Sequence, residues 1–393
     1  MKKNLLSFFK FFAIVGMTTA FVACDNGSTP PAAPTSSDSQ NDQNTVVPVD
    51  YSLGRAMNKR LGKGINLGNS WDGDGRNCLD DCWSNPIADG DFKIIKDAGF
   101  NSIRLPVRWQ RDSDRNTHTV NPDILAGVKE DVSLAIEQGL AVVLDFHHYV
   151  ELNTLAGGAH RGRGDSVALF QAEKEHFVAL WKQIATEFNT FSDTMIVFDI
   201  LNEPTIPNED LVNDVLLSAY QAIRAVAKNK TIMFESNNAA KFERLDVLNL
   251  PPDGNIIYSG HYYEPYTFSH QGHSYDCLGD AAYSNKASED FKSFARMGKS
   301  LYPDVNGNDF IPMNMGEFGI SGGTLQANKS TCKSGQSLPS AATKAQWARE
   351  TVAAANQFNI SFHYWGFTYV GGFEAYDRRE NTWYQGFPSA LIN

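Results

Sequence analysis

Two acidic residues each follow a short hydrophobic run, and this placement suggests a catalytic pair. Glu203 lies just past the run that starts at Met195 and stops before Pro204, and Glu317 follows a second run. A bulky run that stops at proline is typical of a buried parallel strand, because proline cannot continue the hydrogen-bonded ladder. Two carboxyl groups suit glycoside hydrolysis, in which one protonates the leaving group and the other is ionised. Glu203 and Glu317 are therefore the candidate catalytic residues.

Length and charge limit the classes of partner. The chain has 393 residues, 42% of them hydrophobic, and a formal net charge of −11. A chain of this size can bury a large core. Because nucleic acids need a basic binding surface, the acidic balance argues against them as partners. A neutral polymer is compatible with this charge, and we expect a monomer.

The N-terminal segment predicts export. Residues 1–23 place lysines around an apolar stretch that is too short for a membrane span, as in a secretory signal peptide. The Ala23-Cys24 junction resembles a bacterial lipobox, so Cys24 is a candidate for lipidation and the protein for anchoring to the outer membrane or cell surface, or for secretion. Residues 24–50 are polar and proline-rich, which predicts a disordered linker. Residues 51–393 contain no second linker and predict one catalytic domain.

Within this domain, short apolar runs alternate with amphipathic stretches, the pattern of a parallel α/β fold. Eight candidate strands suggest a (β/α)8 TIM barrel, in which chemistry takes place where the strands end. The predicted helices are 87–98, 122–138, 167–188, 209–227 and 343–358, and the fifth crossover, around 243–248, is weak. The strands are predicted to end near Asn66, Arg104, His147, Glu203, Glu235, His261, Glu317 and Trp365.

Side-chain alternation places several polar residues inside the barrel mouth. His261 and Tyr263 share one strand face, and Trp365 could close the base of a sugar pocket. Arg104 lies on the inner face of its strand, where its charge would keep a nearby carboxylate ionised. Asn202 and Glu203 are adjacent, so strict alternation would send them to opposite faces.

Without Cys24, four cysteines remain, an even number in an oxidising compartment. Three pairings are possible. We favour Cys78–Cys82 and Cys277–Cys332, because each would join loops on one rim of the barrel. The alternative is unpaired buried thiols.

Several motifs together resemble glycoside hydrolase family 5, the retaining (β/α)8 cellulase family, and most of all its subfamily 25. The resemblance covers about residues 55–390. It rests on seven stretches, Gly64-Ile65-Asn66-Leu67-Gly68-Asn69, Ile103-Arg104-Leu105-Pro106-Val107-Arg108-Trp109, Asp145-Phe146-His147-His148-Tyr149, Ile200-Leu201-Asn202-Glu203-Pro204, the run from His261 to Gly272, Gly316-Glu317-Phe318-Gly319, and Tyr364-Trp365-Gly366-Phe367.

The resemblance implies a role for each matching residue. Glu203 would be the general acid/base and Glu317 the nucleophile of an endo-β-1,4-glucanase, with no cofactor and no metal. We expect Glu203 to have the higher pKa of the two, because cationic and hydrogen-bonding neighbours should favour ionised Glu317. The remaining residues would bind the β-glucan or support the catalytic pair: Asn202 on the sugar 2-hydroxyl, Arg104, His261 and Tyr263 around the nucleophile, His147 and His148 in the pocket, and Trp365 as a stacking platform.

Other interpretations remain open. Mannan or xyloglucan could be the substrate, since the loops 70–83 and 274–280 differ from close relatives. A glycan-binding lipoprotein without activity would not need a matched acid and nucleophile. A metal site formed by clustered histidines lacks a supporting spacing. Six aromatic residues are candidates for sugar stacking, of which we expect two or three to touch sugar: Trp71, Trp83, Trp109, Tyr149, Tyr266 and Trp383.

Overall fold

Eight parallel strands close into a barrel, as the sequence predicts. Neighbours in sequence are neighbours in the barrel, and β8 pairs with β1 to close it. The computed structural model describes residues 46–73, 85–156, 166–206, 208–273, 275–307, 309–321, 332–369 and 372–393. The barrel strands are β1 (Lys63–Asn66), β2 (Ser102–Val107), β3 (Ala141–Phe146), β4 (Ile196–Asp199), β5 (Thr231–Glu235), β6 (Ile256–Tyr262), β7 (Met313–Phe318) and β8 (Ser361–Tyr364).

The strands are apolar because both of their faces are covered. Every residue of β2 and β3 is buried, which explains why they read as continuous hydrophobic runs rather than alternating ones. Asp145 in β3 and Asp199 in β4 interrupt these runs and point into the barrel. Residues of the same parity nearer the strand starts form an interior cluster, into which the first helix contributes two side chains: Met57, Leu61, Ala141, Val143, Val197, Met233 and Ile257.

The five predicted helices are present with small changes in their bounds: Asp91–Asp97, Pro122–Glu137, Ser166–Phe188, Glu209–Val226 and Ala341–Asn356. The first begins at Asp91 and not at residue 87, because the Asp91 carboxylate accepts a hydrogen bond from the Ala88 backbone N–H and fixes a turn there. Asn121 caps the helix that follows it by accepting a hydrogen bond from the Asp123 N–H.

The structure also contains helices that the sequence pattern did not predict: Ser52–Leu61, Val150–Ala156 and Ala287–Leu301. The weak fifth crossover is a 3-10 helix, Phe242–Val247, rather than a full α-helix. The remaining short elements are the helical segments Asn237–Ala240, Tyr266–Ser269, Gly279–Ala282 and Ser389–Ile392, and the two-stranded ribbons Ser113–Asp114 with Thr119–Val120 and Tyr376–Asp377 with Thr382–Trp383.

The first described contacts of the domain lie slightly before its predicted start at residue 51. The Val49 N–H donates to the Pro303 carbonyl, and the Val305 N–H donates to the Val49 carbonyl, each at 3.1 Å. The predicted signal peptide, Cys24 and linker residues 24–45 lie outside the described residues. Among the residues that are described, no helix combines the length and the apolar character that a membrane crossing requires.

The predicted Cys277–Cys332 disulfide is confirmed. It joins the segment after β6 to the segment after β7. Next to it, the Gln271 side-chain oxygen accepts hydrogen bonds from the Leu278 and Gly279 N–H groups at 2.6 and 2.7 Å, which holds the same loop. The other predicted pair, Cys78–Cys82, lies outside the described residues.

Removing this disulfide should destabilise the protein. The two cysteines are 55 residues apart in sequence, so the bond restricts a long loop of the unfolded chain, and we expect the double variant C277A/C332A to lose about 2–4 kcal/mol of unfolding free energy. Urea denaturation of both proteins measures this. The variant should respond to reductant less than wild type does, because only the predicted Cys78–Cys82 pair remains, whereas a wild type indifferent to reductant would contradict the expectation.

Candidate active site

Arg104 lies at the centre of the site and is fully buried. It extends from β2 into the barrel, and its donors all face oxygen atoms of residues from other strands. Its hydrogen bonds run to Asp199 (3.1 Å), Asn66 (3.2 Å), Glu317 (2.9 Å), Asn202 (2.8 Å) and Glu235 (3.2 Å), and it forms a further ion pair with Asp145 at 3.1 Å. The guanidinium therefore binds the residues that surround the candidate catalytic pair.

Glu317 is held in one orientation by two donors. It lies in β7 and is 5% exposed. Arg104 donates to one carboxylate oxygen at 2.9 Å, and the Tyr263 hydroxyl donates to the other at 3.0 Å. Arg104 and Tyr263 thus lie beside this carboxylate, as predicted. The Glu317 carboxylate therefore has one preferred orientation, in which it faces the barrel mouth.

Glu203 reaches the same mouth because the strand has already ended. β4 stops at Asp199, and Glu203 has a left-handed backbone with φ of 46°. Its N–H donates to a Glu235 oxygen at 2.7 Å, which stabilises this conformation. Asn202 faces Arg104. The two adjacent side chains therefore both face the centre, which strict strand alternation does not allow.

His261 lies between the carboxyl groups but contacts Glu203 more closely than Glu317. Its Nδ1 is 2.9 Å from Glu203 and 3.7 Å from Glu317, and its Nε2 is 3.2 Å from Glu235. The expected role beside Glu317 is therefore shared: His261 forms an ion pair with Glu317 and a hydrogen bond with the candidate acid/base. A register shift between Gly260 and His261 against β7 accompanies this orientation, since bulges re-aim side chains.

The charge state of His261 follows from its neighbours. Burial acts to lower the pKa of the imidazole, but the nearby carboxylates of Glu317 and Glu235 and the hydrogen bonds to Glu203 and Glu235 outweigh it and raise this pKa well above its usual range. A charged imidazolium donates from both nitrogens. His261 thus bridges two carboxylates as a cation.

The expected order of the two carboxyl pKa values is wrong for the unliganded protein. Burial raises the pKa of Glu317 to about 7, and the charges of Glu203 and Glu235 act in the same direction against the opposing effects of His261 and Arg104. Burial also acts on Glu203, but the hydrogen bond and charge of His261 outweigh it and lower the Glu203 pKa. His261 lowers the pKa of both carboxyl groups, but on Glu317 the burial and the neighbouring carboxylates outweigh it.

His147, His148 and Trp365 form another part of the site. The His147 and Trp365 rings are nearly parallel, at an angle of 3° with centroids 5.9 Å apart, and the His148 ring lies edge-on to His147 at 3.9 Å. A Cβ atom on Gly68 would come within 2.5 Å of the Trp365 ring. Glycine at this position is therefore what leaves room for the indole.

Three buried acids around Arg104 were missed as site residues: Asp145, Asp199 and Glu235. Each had a signal in the sequence. Asp145 and Asp199 are acids within or at the end of an apolar strand, and Glu235 ends β5 in the same way that Glu317 lies near the end of β7. An acid on the inner face of a strand next to a buried arginine predicts an ion pair.

Burial separates the aromatic candidates. Trp109 and Tyr149 are fully buried, so they pack in the core and offer no face to a sugar. Trp71 is 5% exposed and donates from its indole to Asp131 at 2.6 Å. Trp383 stacks on Phe100. Tyr266 is the exposed candidate, at 42%, and Trp83 lies outside the described residues.

The predicted metal alternative can be compared with the observed side chains. Two groups in the described part of the chain bring donor atoms within 4.8 Å of one another: Asp72 with His147 and His148, and Glu203 with His261 and Glu317. The second group is the candidate catalytic pair with its bridging histidine. His270, by contrast, stacks on Tyr266 with ring centroids 3.7 Å apart.

A (β/α)8 barrel with paired carboxyl groups at the carboxyl ends of its strands defines the class of protein as a candidate glycoside hydrolase. A model of the cellulase family, glycosyl hydrolase family 5, matches residues 64–371. The chain belongs to this family.

Individual relatives agree with the family assignment. Cellodextrinase A of Ruminococcus flavefaciens is 32% identical over 219 residues, which are 53% of this chain and 60% of the relative. The cellulase/esterase CelE of Acetivibrio thermocellus is 26% identical over 357 residues, which are 83% of this chain and 38% of the relative. The chain thus spans less than two thirds of the length of these curated relatives.

The fold is similar to that of solved family members. Structures of Thermotoga maritima Cel5A with cellobiose and with mannotriose superpose with TM-scores of 0.68 and 0.67. Both are 28% identical to this chain and cover 86% of it, and the chain covers 100% of each of them.

The reversed pKa order predicts opposite effects of two glutamine substitutions. The Glu317 pKa is about 7 in the folded protein against an ordinary 4.5, so its contribution favours folding most below pH 4.5 and is lost as the pH rises to 7. Glu317→Gln, which resembles the protonated acid, should therefore be more stable than wild type at pH 8, by roughly 2–3 kcal/mol at most. At pH 4.5 the difference should vanish. Thermal unfolding across this range measures it.

Glu203→Gln is the matched control with the opposite sign. Because the folded Glu203 pKa is lowered, its ionised form stabilises the fold above the ordinary pKa and this contribution is lost as the pH falls. Glu203→Gln should thus be less stable than wild type at pH 8. If Glu203→Gln were the stabilised variant and Glu317→Gln the destabilised one, the order expected from the sequence would be correct after all.

Proposed function

We propose that this protein is a retaining endo-β-1,4-glucanase in which Glu203 is the general acid/base and Glu317 the nucleophile. One observation carries the proposal: oxygen atoms of both carboxyl groups lie within 4.8 Å of each other and of the His261 ring, at the mouth of the barrel. Retaining enzymes separate their carboxyl groups by about 5–5.5 Å, and inverting enzymes by about 6.5–9.5 Å to admit a water. The short separation between the Glu203 and Glu317 oxygens supports a retaining mechanism.

The contacts suit the first step of a double displacement. Arg104 and Tyr263 direct Glu317 and stabilise its negative charge, so one of its oxygens can attack the anomeric carbon. Glu203 gives a proton to the leaving oxygen, and in the second step it takes a proton from water. Asn202, which accepts a hydrogen bond from Arg104, has its amide N–H groups available for the sugar 2-hydroxyl.

Proton placement is the part that substrate binding must change. Unliganded Glu317 has a pKa of about 7, whereas the chemistry needs the proton on Glu203. The two groups share one site and titrate as a pair. In the reactive complex the proton that the pair shares must leave Glu317 and be held by Glu203. Ionised Glu317 is then stabilised by the positive charge that develops on the sugar, and Glu203 passes the proton to the leaving oxygen. Activity should therefore fall as the pair loses its last carboxyl proton, at high pH.

Endo action is supported by open space beside the pair, lined by residues other than Trp365. A cavity of about 440 Å3 adjoins Glu203 and His261, and its wall includes Tyr266, Lys286 and Asp290. Sugar residues could thus occupy both sides of the scissile bond, as cleavage within a polymer requires. The exposed Tyr266 ring is suited to pack on a sugar of the leaving group.

A neutral β-1,4-glucan is the substrate that we favour. The acidic chain is unsuited to acidic polysaccharides, and relatives carry the names endoglucanase and cellulase. Mannan and xyloglucan are the competing substrates, and for mannan there is a precedent in Cel5A of Thermotoga maritima, which was solved with mannotriose as well as with cellobiose. Release of reducing ends from carboxymethylcellulose, mixed-linkage glucan, xyloglucan and glucomannan ranks them. No release from any would favour a glycan-binding protein.

We further propose membership of subfamily 25 and export as a lipoprotein anchored at Cys24. The motif series and the Ala23-Cys24 junction support these two proposals. Metabolic labelling with a radioactive fatty acid tests the second. Wild type should incorporate label and Cys24→Ser should not, and an unlabelled wild type found in the medium would indicate secretion instead.

Azide rescue assigns the two carboxylates by the stereochemistry of the product. Glu203→Ala should lose activity on polysaccharide but form a glycosyl-enzyme with activated aryl glycosides, and azide should then release a β-glycosyl azide. Glu317→Ala lacks the nucleophile, so azide should attack from the opposite face and give the α-azide. NMR of the products distinguishes the anomers.

Asn202→Ala is the matched control, because it changes the site and keeps both carboxyl groups. Its residual activity should not respond to azide. The same anomer from both glutamate variants, or no rescue of either while wild type cleaves the aryl glycoside, would contradict the assigned roles.

A further inference from the structure

Three donor side chains at the barrel mouth form a group that the proposed hydrolysis does not require as a unit. They are Asp72 after β1 and His147 and His148 after β3. We propose that this group binds a divalent cation of borderline softness, of which Zn2+ is the best fit, and that the bound ion blocks the sugar site beside Trp365. The ion would be an inhibitor and not a cofactor of the reaction.

The geometry brings the three donors to one point. Their ligand atoms lie within 4.8 Å of one another, and Nε2 of His147 is 3.9 Å from an Asp72 oxygen. Zinc binds imidazole nitrogen and carboxylate oxygen at about 2.0–2.2 Å, so donors around one ion lie somewhat closer together than this. Small side-chain rotations would close the gap. Two histidines and one carboxylate leave a fourth position open.

His147 is already oriented as a metal ligand. Its Nδ1 is 2.6 Å from the Asp145 carboxylate, which fixes the ring and leaves Nε2 as the free nitrogen. The Asp145 carboxylate is in turn bound by Arg104 at 3.1 Å. Carboxylate–histidine pairs of this kind support the ligands of protein zinc sites. His147 is 2% exposed, so its free nitrogen faces the donor group and not bulk solvent.

The position of the group implies competition with the glycan. His147 stacks parallel to Trp365, the proposed platform for the sugar ring. An ion on Nε2 of His147 would hold water and a fixed charge where sugar hydroxyls must bind. This part of the inference rests on the proposed function, whereas ion binding itself does not.

Titration calorimetry with Zn2+ at pH 7 tests the site on the purified protein without any substrate. Wild type should bind one ion, and Asp72→Asn and His148→Asn should each weaken binding at least about 10-fold. His148 has φ of 57°, and asparagine tolerates this backbone, so the second variant should fold even if the first does not. Wild-type stoichiometry of zero would overturn the proposal.

His118→Asn is the matched control. His118 pairs with His176 away from the proposed site, their Nδ1 atoms 2.9 Å apart, so this pair is one rival site for the ion, beside the group of Glu203, His261 and Glu317. The control should bind Zn2+ as wild type does. If the loss of binding followed His118 and not His148, the assigned site would be wrong.

Competition tests the blocking effect separately. Saturating cellotriose should weaken Zn2+ binding several-fold, and Zn2+ should raise KM without changing kcat. Zinc binding that follows Asp72 and His148 but ignores the sugar would overturn the blocking while leaving the metal site. A protein inactive on every glucan would overturn the glucanase proposal and leave the calorimetry unaffected.

Discussion

The buried guanidinium of Arg104 is the interaction on which the site depends. It meets oxygen atoms from β1, β3, β4, β5 and β7 and from the segment after β4, so one side chain joins most of the barrel at its carboxyl end. Buried carboxylates are costly without a counter-charge, and a buried charge that loses its partner costs about 3–5 kcal/mol. The buried acids are therefore tolerated because Arg104 supplies a counter-charge, and buried Arg104 is tolerated because these acids surround it.

Glu235 transmits this order to the catalytic pair. One of its oxygens accepts hydrogen bonds from Arg104 and His261, and the other accepts from the backbone N–H of Glu203. Glu317 contacts Arg104 directly. Arg104 thus helps to position both candidate catalytic carboxylates: it contacts Glu317 directly and acts on Glu203 through Glu235. A preorganised site of this kind keeps its charges fixed before substrate arrives.

The sequence predicted the barrel and the pair because both leave local patterns. Apolar runs that end in polar residues identified the eight strands and the positions of Glu203 and Glu317. Side-chain alternation placed Arg104 and Tyr263 at the barrel mouth, and the motif resemblance added their roles. The predictions that were wrong concern geometry that side-chain alternation along a strand does not determine. His261 lies within reach of both Glu203 and Glu317 beside a register shift against β7, and strand alternation predicts neither that shift nor the pKa order of the two carboxyl groups. Likewise, Trp109 and Tyr266 look equally suited to sugar, and only packing separates the buried ring from the exposed one.

The backbone of Glu203 carries a consequence for the history and engineering of the protein. A left-handed φ of 46° suits glycine or asparagine better than glutamate. The chain thus keeps a residue that its own backbone disfavours, at a cost on the order of 1 kcal/mol. This backbone strain opposes the stabilising hydrogen bond between Glu203 and His261, so the effect of a replacement on folding is the sum of the two. Heat resistance alone therefore does not report on the candidate catalytic pair, and any screen of this barrel needs a turnover readout beside the melting curve.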